Sequence, residues 1–182
     1  TLIRDWSNQH NQQELEQHNF SLVLYNINSL RAHLGDWIEY ISSYFPTLWA
    51  LTGLHFDDTT NYQLASHFKS RYIIYYQRGS NKFGGVCLAI CREVPHRLVS
   101  NFTRIENLIA ADIFISNETY TVAVVYSPPA EPVPINTIDH LYRRNRNLIL
   151  IGDLNARHSD WHDPKTNASG QRLAEWLEDN RD

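Results

Sequence analysis

The chain has 182 residues, of which 42% are hydrophobic and 12% aromatic, enough to build one sizeable core in an ordinary compact domain. A formal net charge of −4 argues against a protein that grips nucleic acid by bulk electrostatics, while leaving room for a local basic surface around an acidic site. No apolar run approaches the roughly 20 residues of a membrane span, and the first residues lack a basic-then-apolar leader pattern. A single soluble, intracellular domain is therefore expected.

Residues 1–19 are polar and rich in Gln, Asn and His, and read as an extension or surface helix ahead of a domain that begins near Phe20. "FSLVLYNIN" is a strand. "SLRAHLGDWIEYISSYF" is a helix with Leu30, Leu34, Ile38, Ile41 and Phe45 on one stripe, ended by Pro46, and "TLWALTG" is the next strand. Strand, helix and strand in this order suggest a parallel pair joined by a crossover helix.

A different rhythm follows: "RYIIYYQR", "GGVCLAICR", "LIAADIFIS" and "TYTVAVVYS" are short strands spaced as antiparallel neighbours. Cys87 and Cys91 lie four apart on the second of these, about 13 Å along a strand, too far for a disulfide. They read as small apolar core residues. After the break "PPAEPVP", "NTIDHLYRRN" is a helix candidate, "NLILIGD" a buried strand, and "SGQRLAEWLEDN" an amphipathic helix with Leu173, Trp176 and Leu177 together. Mixed α/β with two sheets is the expected class.

Two apolar strands end in polar groups. Side chains two apart on a strand share a face, so Asn26 and Asn28 point one way, as do Asp153 and Asn155. Ligand sites in open parallel sheets gather beyond the carboxyl ends of strands, where such groups suit a hydrated Mg²⁺ and a phosphate. Asn and Asp also start turns after strands, and that reading accounts for either pair alone. His158 and His162, with Asp160 and Asp163, lie in a loop-like stretch that makes a poor zinc site.

In order along the chain, "YNINSLRAHL", "GGVCLAI", "VAVVYSPP", "IGDLNARHSDW" and "TNASGQRLAEWLED" resemble the endonuclease/exonuclease/phosphatase superfamily, most closely the endonuclease domain of non-LTR retrotransposons. The resemblance runs from about Phe20 to the end and implies a four-layer α/β/β/α sandwich of two mixed sheets between helices. It also implies metal-dependent nicking of DNA with Mg²⁺ or Mn²⁺ to prime reverse transcription, in the nucleus. Carried over residue by residue, Asn26 and Asn28 lie near metal and phosphate, and Tyr126 contacts the scissile phosphate. Asp153 orients or deprotonates the attacking water, Asn155 holds phosphate or metal, and His158 falls where retrotransposon members usually have His. From the residues themselves, an anionic Asp153 beside a cation can accept a proton or position water. Tyr126 reads equally well as a phenol capping its strand over the Pro-Pro turn.

Three departures break the pattern. Family members carry something like "ALQETHL" after the second strand, with its glutamate as principal metal ligand; here "ALTGLHF" sets Gly53 in that place, with Thr52 and Leu54 for the usual glutamine and threonine. Asp57 and Asp58 follow in what the resemblance makes a loop, as possible substitutes. Ser29 replaces a usual glycine. Family chains also continue past the last helix to a terminal Ser-Asp-His motif, whereas this sequence stops at Asp182, so the resemblance implies that C-terminal strands are missing and the second sheet keeps an apolar edge. The polar extension, a second copy in a homodimer, or a protein partner is expected to cover it.

Weak or absent catalysis is therefore expected. The competing classes are an enzyme that nicks DNA and an endonuclease-like fold serving as a protein- or nucleic-acid-binding module. Arg31, Arg157 and Lys165 are the candidates for phosphate contact, with His158 near them. "YRRNRN" at 142–147 precedes its strand and should lie at the opposite end, as a solvated face.

Overall fold

A computed structural model describes residues 20–181, so the expected N-terminal extension lies outside the described residues. Chain order is β1 (Leu22–Asn26), α1 (Leu30–Tyr44), β2 (Leu48–Thr52), α2 (Asp58–Phe68), β3 (Tyr72–Gln77), β4 (Val86–Cys91), β5 (His96–Leu98), β6 (Leu108–Ile115), β7 (Glu118–Tyr126), α3 (Ile135–Arg144), β8 (Leu148–Asp153) and α4 (Ala168–Asp179). One sheet runs β1-β2-β4-β3 and the other β5-β6-β7-β8. Each is mixed, with parallel pairs β1/β2 and β7/β8 and antiparallel pairs elsewhere.

Period-two alternation divides the strand residues between three apolar layers. Leu48, Ala50, Leu88 and Ile90 meet Ile109, Ala111, Val122 and Val124 between the sheets. Trp49 and Leu51 point the other way, beneath α1 and α2, and pack with Trp37, Ile41, Leu64 and Phe68. Ala110, Ala123 and Val125 face outward from the second sheet and are covered by Phe102 and by Leu141 of α3. Helix, sheet, sheet and helix are thus the four expected layers, on two mixed sheets.

The structure corrects several finer expectations. Trp37, not Phe45, completes the buried face of α1 with Leu30 and Ile41, while Phe45 is the left-handed C-cap (φ 46°) under the Arg71 guanidinium. Asp57 and Asp58 do not lie in a loop: Asp58 opens the helix α2, and Asp57 caps it through Thr60. A further short strand, β5, precedes β6. Strand β8 is half-buried rather than buried, because among the described residues it pairs with β7 alone. Cys87 is buried and Cys91 half-buried, and both are free; burial pushes the Cys87 thiol well up.

The basic run at 142–147 is not simply a solvated face. Asp112 of β6 is buried, and the Arg144 guanidinium grips its two carboxylate oxygens at 2.8 and 2.6 Å while Thr121 donates to it at 2.9 Å. These bonds hold the Asp112 carboxyl below the usual carboxylate range against the cost of burial. The paired charges fix the end of α3 onto the outer face of the second sheet. Arg143 pairs with Asp139 on the same helix, and Arg146 lies over Tyr142.

Candidate active site

Asn26 ends β1 and Asp153 ends β8. Both lie at the same end of the sandwich, because β1 and β8 each run parallel to an inner neighbour that delivers its carboxyl end there. The alternation along both strands turns them toward the space between the sheets, and the Asn26 amide donates to Asp153 Oδ2 at 2.7 Å. This one hydrogen bond joins side chains 127 positions apart, from one sheet to the other.

The second member of each pair leaves the strand instead of sharing its face. Asn28 has φ 44° and Asn155 φ 45°, both left-handed, a region Asn tolerates better than most residues. The Asn28 N–H donates to Asn26 Oδ1 (3.2 Å) and the Asn155 N–H to Asp153 Oδ1 (3.1 Å), so each pair closes a side-chain turn on its own strand end. Asn155 also donates to the Ser127 carbonyl (2.9 Å), fastening the segment after β8 to the one after β7. Tyr126 stands in register with Asp153, half-buried against the inter-sheet core; burial first, then the charges of Asp153 and Glu131, push its phenol up.

The remaining expected residues scatter. Arg157 follows Asn155 on the wall shared with Asp153 and Trp161; its N–H donates to Asn167 Oδ1, and its guanidinium stands 3.9 Å from Asp163. Gly170 lets α4 close on this loop, since a Cβ there would collide with the Arg157 carbonyl oxygen. His158 is largely buried on Trp161 and caps the short turn Ser159–Trp161, its Nδ1 accepting from the Asp160 N–H at 3.2 Å. Lys165 is exposed beside Asp163. Arg31 lies in the first turn of α1, turned toward the Asp57 cap of α2, whose carboxyl it helps to lower after the larger effect of Thr60.

Gly53 decides what this end can hold. Its φ is +64°, and a Cβ there would fall 2.5 Å from Asn26 Oδ1. The Asn26 amide stands where a side chain from position 53 would enter. Neither nearby acid takes over: Asp57 is committed to Thr60, and Asp58 pairs with Arg78 at 2.9 Å on the surface. Glu131 accepts from Ser80 at 2.6 Å. Among the described residues no group of three or more His, Cys, Asp or Glu side chains is placed to hold a metal ion. Among the described residues Asp153 is the one carboxylate at the centre, and both its oxygens accept hydrogen bonds, Oδ2 from the Asn26 NH₂ and Oδ1 from the Asn155 N–H. The described residues therefore offer a divalent ion a single protein carboxylate, the lower end of the one or two that hydrated Mg²⁺ uses.

Asn107 carries no signal in the sequence, and Thr52 shows there only as a departure from the family pattern. Asn107, left-handed (φ 58°) and buried, accepts from the Gly85 N–H (2.8 Å), while its own backbone N–H donates to the Arg78 carbonyl and its carbonyl accepts from the Tyr126 N–H. Thr52, buried beside Asn26 in the β1/β2 register, has a hydroxyl with no partner among the described residues.

Two mixed sheets packed face to face, with polar strand ends converging at one end, define the endonuclease/exonuclease/phosphatase fold. Residues 120–182 match the family model described as endonuclease-reverse transcriptase. The chain superposes on the endonuclease domain of TRAS1, a telomere-specific non-LTR retrotransposon, with a TM-score of 0.71 at 14% identity, covering 88% of this chain and 71% of that one. It is similar to the 3′ phosphatase NExo from Neisseria bound to product DNA hairpin (TM-score 0.61, 17% identity, 88% and 71% covered). It is also similar to an AP endonuclease from Archaeoglobus fulgidus (TM-score 0.57, 16% identity, 88% and 70% covered). At these identities the structures speak for the fold. No curated protein matches the chain significantly. Among the described residues no helix is long and apolar enough to cross a membrane.

Proposed function

We propose that this chain is a retrotransposon-type endonuclease-derived domain that engages nucleic acid at the Asn26/Asp153 end with weak or no phosphodiester cleavage. Asn26, Asn28, Asn155 and Tyr126 supply neutral hydrogen-bonding groups for a phosphate, and Arg157 supplies the cation on the same wall. In the metal-dependent reaction of the family, a carboxylate-held ion neutralises charge developing on the phosphate. The described residues can orient a phosphate and hold a water against Asp153 but offer no second anion for such an ion. The observation that carries the reading is the Asn26 amide, lodged where a side chain at position 53 would start and donating to Asp153. DNA as the ligand, and the nucleus as the place, rest on the kind of relatives the fold has.

The test is plasmid nicking with Mg²⁺ or Mn²⁺, alongside binding of a duplex oligonucleotide. Binding without nicking is the expected outcome, with Arg157→Ala weakening binding. Efficient nicking by the unmodified chain that Asp153→Ala abolishes would show an intact nuclease and defeat the proposal.

A further inference from the structure

The β3–β4 hairpin, residues 78–85, carries an aromatic and cationic rim next to the Asn26/Asp153 end. Phe83 is 52% exposed at its tip. The Lys82 ammonium lies 4.8 Å from the Phe83 ring centroid, and the His55 ring meets Phe83 edge-on at 5.3 Å. Phe83 lies outside all three apolar layers, so the fold does not require a benzyl group there.

The platform is held from two sides. The Leu54 and His55 N–H groups donate to the Gly85 and Gly84 carbonyls, tying the hairpin to the loop that starts at Gly53. On the other side Asn107 donates to Ser80 (3.0 Å) and accepts from Gly85, while its carbonyl receives the Tyr126 N–H. Ser80 in turn donates to Glu131. The rim is thus locked to both Gly53 and Tyr126, and presenting its aromatic face requires little ordering.

We propose that Phe83, with His55 at its edge and Lys82 over it, is a stacking platform for an unpaired nucleobase of a single strand whose phosphate lies at the Asn26/Asp153 end. This rests on the nucleic-acid reading above. A flat π-face beside a cation suits a base and its phosphate together, because stacking is indifferent to sequence while the charge meets the backbone. Base pairs in an intact duplex keep their faces stacked on each other, so the platform selects single-stranded or splayed DNA.

The test measures fluorescence anisotropy of the whole chain with a short single-stranded DNA and with the matching duplex, plus quenching of a 2-aminopurine base in the single strand. Phe83→Ala should weaken single-strand binding about ten-fold or more and remove the quenching. Phe83→Trp should retain both, and Phe114→Ala, an exposed phenylalanine on β6 beside Arg97, should leave both unchanged. Thermal melting should be the same for Phe83→Ala and wild type, separating loss of stacking from unfolding. If wild type binds the single strand and Phe83→Ala binds and quenches equally well, the platform is refuted and the nucleic-acid reading stands. Tighter binding to duplex with no quenching refutes it as well. If wild type binds neither probe, both readings fall.

Discussion

Placing a methyl group at position 53 tests the geometry of the site on stability alone. Gly53→Ala forces an L-residue into a left-handed conformation (φ +64°), at about 1–2 kcal/mol. Its Cβ would stand 2.5 Å from Asn26 Oδ1, and the amide can move away only by giving up its bonds to the Asn28 N–H and Asp153. Those bonds are exposed, so their loss adds about 1–2 kcal/mol at most, for a total of about 2–4 kcal/mol. Removing the amide first separates the two effects: in an Asn26→Ala background the same Gly53→Ala change should cost only the backbone part. Urea denaturation of the wild type, both single variants and the double variant gives a coupling energy, expected near 1 kcal/mol or more. Zero coupling, or a Gly53→Ala chain as stable as wild type, would refute the claim that Asn26 fills the space at position 53. A Gly53→Glu variant meets the same obstacle and should not by itself create a working metal site.

Two further outcomes follow from the fold. Arg144→Met leaves the buried Asp112 carboxylate without its main partner and should cost about 3–5 kcal/mol at neutral pH in urea melts. Because the folded Asp112 value is depressed, the pair's contribution is complete above the unfolded value of about 3.9 and is lost as pH falls through the folded value. The deficit of the variant should therefore shrink toward pH 3, and a deficit constant with pH would contradict it. Ser29 has φ 93° with no capping hydrogen bond, so Ser29→Gly should raise stability by about 1 kcal/mol, read as a higher urea midpoint at unchanged slope.

Legible in the sequence were the features that rest on periodicity and interruption. The apolar runs ending at Asn26 and Asp153 mark the strands and the two side chains that meet at their ends, and the family resemblance orders the strands into two mixed sheets. Alternation misleads at Asn28 and Asn155, because each has turned left-handed and closes on the residue two before it. Helix α2 is hard to read because half of its buried face is polar, Thr60 and Asn61 beside Leu64 and Phe68. Asp112 sits inside an apolar run and Arg144 inside a basic one, so their pairing across 32 positions has no local signature. Gly53 is legible as a departure, but only the folded chain shows Asn26 occupying the space that a side chain there would need.

Among the described residues Asp153 stands without a second carboxylate, its oxygens already bonded, and we propose that it does not hold a divalent ion. Titration of Mn²⁺ into the chain, followed by electron paramagnetic resonance and repeated with Asp153→Ala, tests it directly. The expected result is weak, non-saturating binding that is the same in both proteins. A saturable Mn²⁺ site in the wild type that disappears in Asp153→Ala would contradict the account.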